Sequence, residues 1–120
     1  TQNIEAFQIY SKGLFHWNRQ TADGRQEAVK YFNEAIKLDP NFAEAFAYLA
    51  DTYSLAFFYG EKIDNLAGNE LAVKAKENAA KALEFNPNCT VAMTALSVIY
   101  FRESKKEEAH NLLQKALAIN

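Results

Sequence analysis

Internal disulfide bonding is excluded at the outset, because the 120 residues contain a single cysteine, Cys89, which also leaves the redox compartment open. An excess of charge of one sign is missing too. Thirteen Lys and Arg against 15 Asp and Glu give a formal charge of -2, so nothing pulls the chain toward nucleic acid or an anionic membrane. No unbroken apolar run is long enough to span a bilayer, and the opening TQNIEAF lacks the basic-then-apolar order of a signal peptide. The glycines never gather into a phosphate-cradling loop. His16 and His110 lie far apart, and neither has neighbours at the spacing of a metal site or a catalytic triad. His110 therefore reads as a partly exposed structural residue. Carboxylate pairs such as Glu107-Glu108 have lysines nearby and read as solvated helix surface. The sequence thus points to no enzyme, no cofactor and no metal.

What is present is enough for one globular domain. With 49% hydrophobic and 23% charged residues the chain can bury a core without disulfides or metal. It starts without Met and stops at Ile119-Asn120 in mid-pattern, which leads us to expect a piece of a longer chain. The chain also repeats itself. AIKLDPNFAEAFAYLADTYSLA (35–56) has a blurred second copy in ALEFNPNCTVAMTALSVIYF (82–101), pairing Phe46 with Met93, Leu49 with Leu96, Ala50 with Ser97 and Tyr53 with Tyr100. Steps of 3, 1 and 3 between these positions are helical. A second pattern precedes each proline: Ala28, Phe32, Ala35, Pro40, and again Ala75, Ala79, Ala82, Pro87, with a third instance in Ala109, Leu113, Ala116. The unit is two helices, with small residues where they approach closely. One such hairpin cannot bury its apolar face alone, so neighbours stack. Ala50 and Ala82 are expected at close contacts, and Phe32, Tyr53 and Tyr100 in the wider gaps.

The order Phe46-x-x-Leu49-Ala50-x-x-Tyr53, with Ala28-x-x-x-Phe32 and then Pro40, resembles the tetratricopeptide repeat, a pattern of roughly 34 residues. Tyr100 to Ala109 keeps the nine-residue spacing of that family, whereas Tyr53 to Ala75 spans 22, an excess of 13. Unit one carries Gly13 at the small position but His16 near the tyrosine place. The resemblance implies an all-α, right-handed solenoid of three helix-turn-helix units (about 3–40, 41–87 and 88–120), with an insert in the middle one. Six helices are expected at about 4–18, 25–38, 42–59, 65–85, 89–102 and 105–118. Asp23 to Gln26, Asn41 to Glu44 and Ser104 to Glu107 read as capping boxes, and Gly60 as a left-handed helix end. The insert GEKIDNLAGNE is expected to be a loop that lengthens the next helix back toward Asp64. Cys89 sits where Phe42 stands in unit two and reads as a small buried hydrophobe.

The resemblance also implies a concave groove lined by the first helix of each pair and holding a partner peptide or helix. Candidates are Tyr10, Leu14 and Trp17; Glu44, Ala47, Asp51, Ser54 and Leu55; and Val91, Thr94, Val98, Phe101 and Arg102. This set is mostly apolar, and only Arg102 is basic. A clamp for a C-terminal carboxylate is therefore not expected, and an apolar or amphipathic segment is. Of Phe57, Phe58 and Tyr59, at least one should be exposed. The N-terminal half further resembles repeats of bacterial signalling proteins that follow a winged-helix, nucleotide cyclase or kinase domain. On that resemblance the chain is the regulatory arm of a cytoplasmic protein, or a periplasmic one if its parent is membrane-anchored. Two other functions remain open: self-association as a homodimer through Leu112, Leu113, Leu117 and Ile119, and sensing of a small ligand beside the insert.

Overall fold

A computed structural model describes residues 2–120. Six helices follow one another: α1 (Ile4–Asn18), α2 (Ala22–Leu38), α3 (Ala43–Phe58), α4 (Asn69–Phe85), α5 (Thr90–Arg102) and α6 (Lys106–Ile119). Each packs chiefly on its sequence neighbours, and α5 also lies against α3. The molecule is therefore three stacked helix pairs.

The turns repeat as the helices do. Each first helix ends on a left-handed residue: Gln20 (φ 53°), Gly60 (φ 70°) and Ser104 (φ 63°). After α3, Gly60 N–H donates to the Phe57 carbonyl and Glu61 N–H to the Ala56 carbonyl, the Schellman arrangement. Ser104 and Lys105 do the same after α5, onto Phe101 and Tyr100. That conformation removes Ser104 from the capping position expected for it, and α6 starts from Lys105 with no side-chain cap. Of the second helices, α2 and α4 end in a shared Asp/Asn-Pro-Asn turn, in which Asp39 Oδ1 accepts from Asn41 N–H and Asn86 Oδ1 from Asn88 N–H. The turn sets Asn41 one residue ahead of the helix start, so that Phe42 holds the capping position, and α3 too has no side-chain cap.

The insert departs furthest from expectation. It is a hairpin, β1 (Lys62–Ile63) paired antiparallel with β2 (Leu66–Ala67), and α4 begins only at Asn69. The two-residue turn places Asp64 at φ 54°, the left-handed region such turns need. Ile63, 1% exposed, plugs the hairpin into the core. Gln26 then binds Asp64 twice, with its amide nitrogen on Oδ1 at 2.7 Å and its amide oxygen on the Asp64 N–H at 2.9 Å. This engagement takes Gln26 away from helix capping. Thr21 caps instead, its hydroxyl accepting from Gly24 N–H, so α2 starts earlier than expected. Beside it, Arg25 forms a bidentate pair with Glu61, both bonds 2.7 Å, with Tyr59 stacked 5.1 Å from the guanidinium carbon.

Two core clusters separate the pairs. The first is aromatic and aliphatic, with Tyr10, Phe32, Phe42, Leu49, Tyr53, Ile63 and Leu71. The second is lined by alanines 47, 50, 79, 82, 92 and 95, with Cys89. Small residues there let α5 close directly onto α3, as expected for Ala50 and Ala82, whereas large rings hold α1 away from α3. Tyr100 departs from the role expected of it. It is half-buried, with Lys76 and Lys105 over its ring at 5.9 and 5.6 Å.

Candidate functional site

The helices α1, α3 and α5 occupy equivalent places, so matched residues point the same way. Pairing Ala50 with Ser97 sets Glu44 over Val91, Asp51 over Val98 and Leu55 over Arg102. These six are accessible, from half-buried to exposed, and form one face. Placing Gly13 over Ala50 adds Phe7, Leu14 and Asn18 from α1 to that face. Phe7 is 53% exposed and was missed by the sequence reading, which had no fixed register for unit one.

The other expected groove residues turn sideways, toward the following pair. Tyr10 is buried against Phe42, with ring centroids 4.8 Å apart. Trp17 packs edge-on against Tyr48 at 5.1 Å. Ala47 is 1% exposed, and Ser54, at 0%, donates its hydroxyl to the Ala95 carbonyl at 3.0 Å. These four hold helices together and offer a partner little surface. Thr94 and Phe101 are their counterparts in α5, and there they line an open apolar cleft of about 540 Å³ between α5 and α6, walled by Phe58, Val98 and Leu113. A second recess of about 300 Å³, sharing Thr94 and Leu113, extends it toward Leu117.

Electrostatics on the open face centre on Asp51. Trp17 Nε1 donates to Asp51 Oδ2 at 2.8 Å. Burial raises the carboxyl above the ordinary aspartate value, and the Trp17 bond and the charge of Arg25 oppose that rise. Burial likewise pushes the Tyr10 phenol upward. Arg102 reaches back to the end of α3, donating to the Phe58 carbonyl at 3.1 Å and covering the Phe58 ring at 5.1 Å. Phe58 and Tyr59 are both exposed, at 38% and 59%. Cys89 is buried, and His110 lies on the exposed side of α6 near Gln114. Among the described residues no cluster of His, Cys, Asp and Glu is placed to hold a metal, and no helix is long and apolar enough to cross a membrane.

Three stacked helix pairs with small residues at the contacts define a helical-repeat protein. The tetratricopeptide repeat family model matches residues 31–73, the segment from the middle of α2 through α3 and the hairpin to the first turn of α4, and the chain has the tetratricopeptide-repeat fold. Such repeats generally mediate protein–protein contact. The chain is 28% identical over 98 residues to the transcriptional regulator HilA of Salmonella typhimurium, covering 81% of this chain and 17% of that protein. It is also 28% identical over 118 residues to the anaphase-promoting complex subunit CDC16 of Saccharomyces cerevisiae, covering 81% of this chain and 14% of that subunit. The chain thus spans 14–17% of the length of these relatives.

Proposed function

We propose that this chain is a non-catalytic interaction module whose α1–α3–α5 face binds an apolar or amphipathic segment of a partner protein. The observation that carries this reading is the accessible face on which Phe7, Leu14, Leu55, Val91 and Val98 come from three helices in register. Apolar side chains at such places serve as anchors for a peptide, and Glu44 and Asp51 supply orientation. The basic member of the face, Arg102, is engaged with α3, which favours an apolar ligand over a carboxylate. The likeness to a transcriptional regulator supports placing the module as the regulatory arm of a larger cytoplasmic signalling protein. The test is selection from a displayed peptide library, followed by rebinding to Leu55→Arg and Val98→Arg, with folding checked by circular dichroism. Loss of binding in folded variants supports the reading. Undiminished binding by both rejects it.

A further inference from the structure

The contact between successive pairs occurs twice within this chain, and its two occupants describe what fits a third place. Against α1 and α2, α3 presents Phe42, Ala45 and Leu49; against α3 and α4, α5 presents Cys89, Ala92 and Leu96. Both sets have an apolar residue, an alanine three positions on and a leucine seven on. Ala45 and Ala92 are each 0% exposed, so the small side chain marks the close approach. Each occupant is also pinned by an acid at or past its C-terminal end. Glu61 pairs with Arg25 of α2 at 2.7 Å, and Glu103 with Lys76 of α4 at 2.8 Å.

The third place is the α5–α6 cleft. When Ala28, Ala75 and Ala109 are matched, Lys106 stands where Arg25 stands and His110 where Lys76 stands, and both line the cleft. Among the described residues no carboxylate pairs with Lys106. We propose that this cleft docks one amphipathic helix of a partner protein, carrying the apolar-x-x-Ala-x-x-x-Leu pattern and an acidic residue at its C-terminal end. The surface continues the interface that already joins the pairs; it adjoins the α1–α3–α5 face, with which it shares Val98, and is set apart from it by Leu113, Lys106 and His110 of α6. A second copy stacking head to tail does not supply the pattern. The α1 residues that match Phe42, Ala45, Leu49 and Ala56 are Glu5, Gln8, Lys12 and Arg19, all exposed and polar.

The probe is a synthetic glutamine- and lysine-based helical peptide with Phe, Ala, Leu and Glu at the α5 spacing, titrated into the ¹⁵N-labelled protein. The expected result is amide shifts confined to Thr94, Phe101, Leu113 and their neighbours. Leu113 is 42% exposed, so Leu113→Glu should leave the circular dichroism unchanged and weaken binding about tenfold or more. Replacing the peptide's alanine with leucine should abolish binding, because the close approach is lost. Lys106→Glu should weaken it about two- to fivefold, as for an exposed ion pair, and a lysine in place of the peptide's acid should restore it. Three results overturn the proposal. They are an absence of shifts, shifts on Leu14, Asp51 and Leu55 instead, and a dimer in light scattering without peptide that Leu113→Glu makes monomeric. The second of these leaves the α1–α3–α5 reading standing while removing this one.

Discussion

Gly13 lies so close to α2 that a β-carbon there meets Phe32 ring atoms at 2.5 and 2.7 Å, well inside van der Waals contact. Alanine at this position gains about 1 kcal/mol of helix propensity. It must also push a fully buried phenylalanine in the larger core cluster, and overpacking costs about 1–3 kcal/mol. Gly13→Ala should therefore lower the urea midpoint; a raised midpoint would show that the ring gives way freely. Asp51 poses a titration question in the same region. Its carboxyl is raised by burial, so the folded state holds the proton more tightly than the unfolded one. For an acid shifted this way the stabilising contribution is full below the unfolded value and is lost as pH rises through the folded value. Asp51→Asn, which keeps an acceptor for Trp17, should then melt higher than the parent at neutral pH. The two proteins should converge in acid. A parent that is the more stable at neutral pH would show that attraction from Arg25 outweighs desolvation.

The hairpin insert shows an element fixed by ion pairing as much as by burial. Arg25 is 3% exposed and Glu61 neutralises it through two short bonds. Removing one member of such a pair strands a buried charge, so Glu61→Gln should cost about 3 kcal/mol. Adding Arg25→Met should recover much of that loss, and double-mutant thermal denaturation is the check; a loss of a few tenths in the single variant would mean water reaches the guanidinium. The hairpin was also the least legible element. Helices were readable because each carries apolar residues at helical spacing around a small residue, and five of six starts fall within a few positions of expectation. Asp64-Asn65 is a turn signal of only two residues, flanked by strands of two, too short for alternation to show. The caps failed for a related reason. Gln26 and Asn41 have the right chemistry for capping, but Asp64 engages the Gln26 side chain, and the proline turn leaves Phe42 rather than Asn41 at the start of α3. On the open face, the α3 and α5 positions followed from the repeat, while Phe7 depended on the α1 register, which Gly13 at the small position indicates but His16 near the tyrosine place obscures.

Across the whole molecule the successive interfaces are unequal. The first is built on large rings, the second on alanines, and the α5–α6 pair carries an exposed cleft on its far side. In a stacked-repeat protein stability is close to a sum of each unit and its contacts with neighbours, so a unit with one neighbour opens at the lowest cost. Of the α6 residues only Ala109 and Ala116 are buried, against nine in α3. Native-state hydrogen exchange should accordingly show α6 amides exchanging through a local opening of lower free energy than those of α3. The peptide of the docking test should slow α6 selectively, because it supplies the missing neighbour. Exchange of α3 and α6 at one common rate would mean that the three pairs unfold as a single cooperative unit and that the open cleft carries no local weakness.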